Sequence, residues 1–140
     1  MLKFLVGSHN YNLETPSSDK DWKVFNYPTF EHLFKGEYNN APNTLSEDED
    51  VEYKDIRQLV PLLLKCNPSY LEVLYSKETE HSDEMENSKF LKFIQDNRDA
   101  IAFHNLPKFF DACVGMYHQK RKLLEKDPPN KKYCGKDIYN

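Results

Sequence analysis

An α+β fold is predicted, with a small mixed sheet and a helical C-terminal part, on three observations. Strand-like runs cluster in the first 55 residues, helical periodicity dominates from about residue 85, and 140 residues suffice for one hydrophobic core. Leu2–Val6 is short and apolar, stops at Gly7, and reads as the first strand. Residues 8–13 are polar and turn-like, with a short helix begun by Ser8, and Thr15-Pro16-Ser17-Ser18 is a loop by composition. Residues 20–27 hold Trp22, Val24, Phe25 and Tyr27 and read as a second strand that Pro28 ends. Thr29 then caps a short helix with Phe30, Leu33 and Phe34 on one face. Residues 36–49 lack any periodicity and form the longest loop.

Asp50 to Tyr53 alternates as a short third strand, and Asp55 caps a helix over roughly 56–66 with Ile56, Leu59, Val60 and Leu63 inward. Pro61 is expected to kink that helix or delay its start. Asn67-Pro68 begins another helix through Leu71, Val73 and Leu74. Beyond, Phe90, Phe93, Ile94, Ile101 and Phe103 mark one helical stretch. Leu106 to Lys126 is the longest amphipathic candidate, with Phe109, Phe110, Cys113, Val114 and Tyr117 inward. Residues 1–80 are thus expected to form the sheet-bearing core. Residues 81–140 form a helical region, either packed on it or cut short.

Composition excludes several classes. Hydrophobic residues make up 39% and charged residues 30%, and no apolar run approaches the roughly 20 residues of a membrane span. Cys66, Cys113 and Cys134 are too few and too far apart for a disulfide framework or a zinc site, which fits reduced thiols and a cytoplasmic setting. The net charge of −4 is unevenly spread. Residues 46–55 hold six acids against Lys54, and residues 118–136 hold seven Lys or Arg against Glu125 and Asp127. Lys120, Arg121, Lys122, Lys131, Lys132 and Lys136 are candidate contacts for phosphates or RNA, although such a run is as often a solvated basic face.

The stretch that carries chemistry is Gly7-Ser8 followed, ten residues on, by Asp19-x-Asp21 at the entry to a strand. Carboxylates at i and i+2 of a strand share a face and repel. A hard divalent cation with oxygen ligands, magnesium or manganese, offsets that repulsion and bridges to substrate phosphates. Glycine permits close backbone approach, and the amides and hydroxyl after it suit a phosphate. Two metals about 4 Å apart serve both oxygens of an in-line displacement and call for a third carboxylate from a neighbouring strand. Asp50 and Glu52 share a face there; Glu52 is preferred because it lies inside the predicted strand, whereas Asp50 closes the acidic loop.

The run Gly7-Ser8-His9-Asn10-Tyr11-Asn12-Leu13-Glu14-Thr15-Pro16-Ser17-Ser18-Asp19-Lys20-Asp21 resembles the G-S-x-x-Y-G-L-x-T-x-x-S-D-x-D signature of a bacterial and phage nucleotidyltransferase branch of the DNA polymerase β superfamily. That branch is sometimes linked to RNA ligases. Asp55 through Leu74, with Arg57 and Asn67-Pro68-Ser69-Tyr70-Leu71-Glu72, is similar to its L-R-x-x-x-x-L-L-x-x-N-P-x-x-L-E-L-L block. Gly115 through Gln119 with Lys122, and Gly135-Lys136, resemble two fainter elements. Asn12 stands where the family has glycine, and asparagine tolerates the left-handed turn. The chain begins at the motif's strand and ends before the family's histidine-bearing helix, as in a minimal phage version or a piece of a longer protein.

The resemblance implies a nucleotidyltransferase fold, magnesium and an NTP substrate. Gly7, Ser8 and Ser18 would hold the nucleotide, and Asp19, Asp21 and Glu52 the metals. The acceptor hydroxyl stays open between nucleic acid, protein and a small molecule, and a phage-encoded chain would act in the host cytoplasm. The alternative is a catalytically degenerate module of the same fold that binds a nucleotide or a protein. The Asn-Pro-x-x-Leu-Glu block either carries a function of its own or is a structural helix cap with Glu72 on a partly exposed face.

Overall fold

A computed structural model of the chain describes residues 1–82 and 85–126. The fold is α+β. β1 (Leu2–Val6) leads into α1 (Gly7–Asn10), and β2 (Lys20–Asn26) into α2 (Phe30–Lys35). β3 (Thr44–Leu45) and β4 (Glu49–Asp55) follow, then α3 (Leu59–Leu64), α4 (Pro68–Leu71) and β5 (Thr79–His81). Three helices complete the described chain: α5 (Met85–Asp96), α6 (Arg98–Ala102) and α7 (Leu106–Lys126). The strands form one sheet in the order β3-β4-β2-β1-β5. Every pairing is antiparallel except β2 with β4, which is parallel.

The alternation of β1 decides which face becomes the core. Leu2, Phe4 and Val6 are buried on one face. Directly opposed residues of an antiparallel pair share a face, and Phe25 stands opposite Leu2. Phe4 and Phe25 meet edge to face, with ring centroids 6.0 Å apart. Leu59, Leu63, Leu71, Val73 and Leu74 close over this face from the helical segment, and Leu91, Ile94 and Ala102 join the same cluster from α5 and α6. On the opposite face Leu5, Trp22 and Val24 are buried, and the Lys3 ammonium lies 4.0 Å from the Trp22 ring centroid. The alkyl stem and charge of Lys3 so cover apolar surface that no helix has to.

Local signals set the helix boundaries. Asp55 caps the 3-10 turn Ile56–Gln58, and the α-helix proper starts only at Leu59, which puts Pro61 in its first turn. Asn67 accepts from the Ser69 amide and Pro68 opens α4. Thr29 forms a capping box with His32, and Gly36 closes α2 at φ 68°. On α2 the Phe30 and Phe34 rings stack on one face as expected, each 82% exposed, and the helix buries none of its residues. Expected inward positions differ from the structure on α7 and α3. α7 spans the expected residues but also buries none, and Phe110 and Tyr117 point outward instead of inward. Val60 is likewise exposed. Two strands unforeseen in the sequence, β3 and β5, edge the sheet. The candidate contacts Lys131, Lys132 and Lys136, the Gly135-Lys136 element and Cys134 lie outside the described residues. Among the described residues no helix is long and apolar enough to cross a membrane.

Candidate functional site

The sheet face that is core at one end becomes acidic at the other. Val6, the last residue of β1, stands opposite Asp21, and β2 runs parallel to β4 with Asp21 beside Asp50 and Lys23 beside Glu52. A cleft of about 300 Å³ opens here, and Gly7, Asp21, Asp50, Glu52 and Glu72 are among its walls. Gly7 follows β1 directly with φ 70°, and a Cβ there would collide with the Asp21 carboxylate. Only glycine permits that approach. Gly7→Ala is therefore expected to cost about 1 to 3 kcal/mol of stability, measured by thermal unfolding, and to push Asp21 out of place.

Three aspartates converge. Burial is the main cause that raises the Asp21 carboxyl above its ordinary range, followed by the negative charges of Asp19, Asp50 and Glu72, with Lys23 opposing. Burial and then Asp19 also raise Asp50, against a backbone hydrogen bond from Ser46. Both residues thus resist carrying full charge together, which is the electrostatic condition a cation relieves. Among the described residues, no group of three or more His, Cys, Asp or Glu side chains stands in the arrangement of a formed metal site.

Asp50 stands beside Asp21, whereas Glu52, the carboxylate preferred from the sequence, stands beside Lys23. Glu52 Oε2 accepts from Lys23 Nζ at 2.6 Å, and Oε1 from the Tyr70 hydroxyl at 2.8 Å. Lys54 Nζ lies 3.3 Å from Oε1. Burial alone would raise the Glu52 carboxyl, but these bonds and the two ammonium charges outweigh it and hold it below the ordinary carboxylate range. Its charge is already balanced by protein groups, while that of Asp50 is not.

No family model, curated protein or solved structure matches this chain. The likeness to nucleotidyltransferases accordingly rests on the motif residues alone.

Those residues are not all brought together. Ser8 is half-exposed in α1, where its carbonyl accepts from the Tyr11 and Leu13 amides. The Ser18 hydroxyl is turned to the Thr15 turn: it accepts from the Thr15 amide at 2.9 Å and lies 3.0 Å from Thr15 Oγ1. Ser18 contributes through its carbonyl, which lies 3.0 Å from His9 Nε2 and ties the loop to α1. Asn12 adopts φ 55°, the left-handed turn asked of it. Lys120, Arg121 and Lys122 lie exposed on α7.

Glu72 is partly exposed, as expected, and lines the cleft, which favours the functional alternative for its block. Asn67 and Pro68 start α4, Leu71 and Leu74 anchor its turns in the core, and Glu72 between them reaches the cleft wall. Glu72 Oε2 accepts from the Gly7 amide and from the Tyr11 hydroxyl, both at 3.3 Å. Burial, then the Glu72 charge, raise the Tyr11 hydroxyl above its usual range. The glutamate in the Asn-Pro-x-x-Leu-Glu run was the available sequence signal. What hid its position is the long separation between residues 7 and 72.

Proposed function

We propose that the protein transfers a nucleotidyl group from an NTP to an acceptor hydroxyl with magnesium. The observation that carries this reading is the parallel register that sets Asp21 beside Asp50, next to a left-handed Gly7 that only glycine can occupy. The donor set fits the ion: hard carboxylate oxygens whose mutual repulsion Lys23, itself paired with Glu52, offsets only in part. Magnesium commonly takes one or two carboxylates, with waters and substrate phosphates completing its shell, so a preformed cage of protein ligands is not required. Asp19, Asp21 and Asp50 would hold it. When bound, magnesium would supply neutralisation of the triphosphate and of the charge that develops as pyrophosphate leaves.

The residues of the chain have the remaining tasks. In this reading Gly7 and Ser8 would orient the phosphates, which requires the Gly7 amide to exchange its bond to Glu72 for one to the nucleotide. The acceptor oxygen attacks the α-phosphorus, its bond to the bridging oxygen breaks, and the acceptor proton passes to a carboxylate of the cleft or to solvent. Glu72 restrains the Gly7 backbone and the Tyr11 ring, and Lys23 holds Glu52 away from the aspartates. Positioning and charge neutralisation provide most of such catalysis.

One observation favours the second reading, a module that binds without turnover: Lys23, a cation on the cleft wall, is already committed to Glu52. Incubation with α-labelled NTPs, Mg²⁺ and total RNA and protein separates the two. Label on either acceptor, absent with the Asp19→Ala/Asp21→Ala variant, supports transfer. Nucleotide bound with no label on any acceptor sinks it and favours the binding module.

A further inference from the structure

α7 is 21 residues long and buries none of them. Its first turns are anchored: Lys108 Nζ donates to the Leu64 carbonyl at 2.9 Å, and Phe109 packs on the core. Further along, Ala112, Cys113, Met116 and Leu123 are half-buried. A stripe beside them is open, with Phe110 66%, Tyr117 60% and Leu124 55% exposed. Tyr117 is seven residues after Phe110 and Arg121 four after Tyr117, so the two rings and the guanidinium share one face. Lys120 and Lys122 flank Arg121. The helix carries five Lys or Arg against Asp111 and Glu125, within a chain whose net charge is −4. Positive charge is thus concentrated on α7, where it can draw a polyanion that the acidic remainder repels.

We propose that this face of α7 is a docking surface for an unpaired nucleic-acid strand. Phe110 and Tyr117 stack on bases, and Lys120, Arg121 and Lys122 take phosphates. Exposed aromatics interleaved with cations are what an unpaired strand requires, since every free base offers a π-face and every linkage a charge. A duplex hides those base faces. A second copy of α7 would set five cations against five, which opposes self-pairing along this stripe. Arg121 gives its Nε to Glu125 at 2.8 Å, which leaves the Nη end of the fork to reach a phosphate. Naming the strand as the acceptor rests on the nucleotidyl-transfer reading; docking itself needs neither metal nor nucleotide.

The test is fluorescence anisotropy with a labelled 12-nucleotide oligouridylate, in the absence of Mg²⁺ and NTP, at several salt concentrations. Phe110→Ala/Tyr117→Ala is expected to weaken binding about tenfold or more with an unchanged salt slope. Lys120→Glu/Arg121→Glu/Lys122→Glu is expected to weaken it further and to flatten the slope. All five side chains are exposed, so circular dichroism and thermal unfolding should match the parent chain. Binding by both variants equal to the parent, or no binding by the parent, overturns the proposal. So does equal affinity for a duplex of the same length, or a dimer that the aromatic variant dissolves. Mg²⁺–NTP binding measured on the same proteins keeps the two ideas apart. Oligouridylate binding without Mg²⁺–NTP binding would reject nucleotidyl transfer and leave the docking surface standing.

Discussion

Asp50→Asn is expected to lower nucleotidyl transfer by roughly three orders of magnitude, while Glu52→Gln lowers it less than about tenfold. The two residues lie on one strand and one face, and a sequence argument ranks them the other way. Their surroundings separate them. Asp50 stands beside Asp21 with its charge raised in energy by burial and by Asp19. Glu52 is already satisfied by Lys23, Tyr70 and Lys54. Stability should move in the opposite sense. Removing the Asp50 charge relieves repulsion and leaves the metal-free melting temperature unchanged or higher. Removing that of Glu52 strands the Lys23 ammonium, which is only 13% exposed, and costs about 1 kcal/mol. Equal loss of activity in both variants would return the third carboxylate to Glu52. Label transfer and thermal unfolding of the two purified variants decide the matter.

Asp55→Ala should be the most destabilising single change, at about 3 kcal/mol in urea unfolding at pH 7. Asp55 is fully buried at the end of β4. Its carboxylate accepts from the Asn39 amide at 2.8 Å, from the Arg57 amide at 2.9 Å, and from Arg57 Nε and Nη2 at 2.9 and 2.8 Å. Four donors would lose their partner, and the turn into α3 its cap. Asp55→Asn keeps the cap and should cost roughly half as much. The hydrogen bonds from Arg57, above all, hold the Asp55 carboxyl down at about 2. A carboxyl depressed on folding adds stability above its unfolded value, near 4, and that contribution disappears as pH falls through the folded value. About 2.5 kcal/mol should therefore be lost between roughly pH 4 and pH 2 in the parent chain, and that limb should be missing in Asp55→Ala.

Much of this architecture was legible in residues whose local chemistry decides the matter. β1 ends at Gly7 as read, Asp55 and Asn67 cap the turns they were expected to cap, and Pro61 delays α3. Thr44–Leu45 and Thr79–His81 escaped because two and three residues are too few to show alternation. They are strands only because β4 and β1 offer edges to pair with. The register of β2 on β4 was illegible for another reason. A parallel pair has no tight turn whose length fixes the offset, so nothing local could place Asp50, rather than Glu52, beside Asp21. Periodicity also announced an apolar face on α2 and on α7, and the inward placement of Phe110 and Tyr117 failed because periodicity alone does not show what covers a face. Phe30, Phe34, Phe110 and Tyr117 show that a face can exist and remain open.

The parallel pairing has a consequence for how the chain comes to its native state. Asp21 and Asp50 meet only after the intervening segment has closed, and the β1–β5 pairing spans still more of the chain, from Leu2 to His81. Such high contact order places these closures late relative to the helices and sets a slow clock for folding. The acidic pair is then expected to form with the final topology. With the proposed magnesium site as the probe, cation affinity in a refolding experiment is expected to rise with the last kinetic phase, well after helical ellipticity has returned.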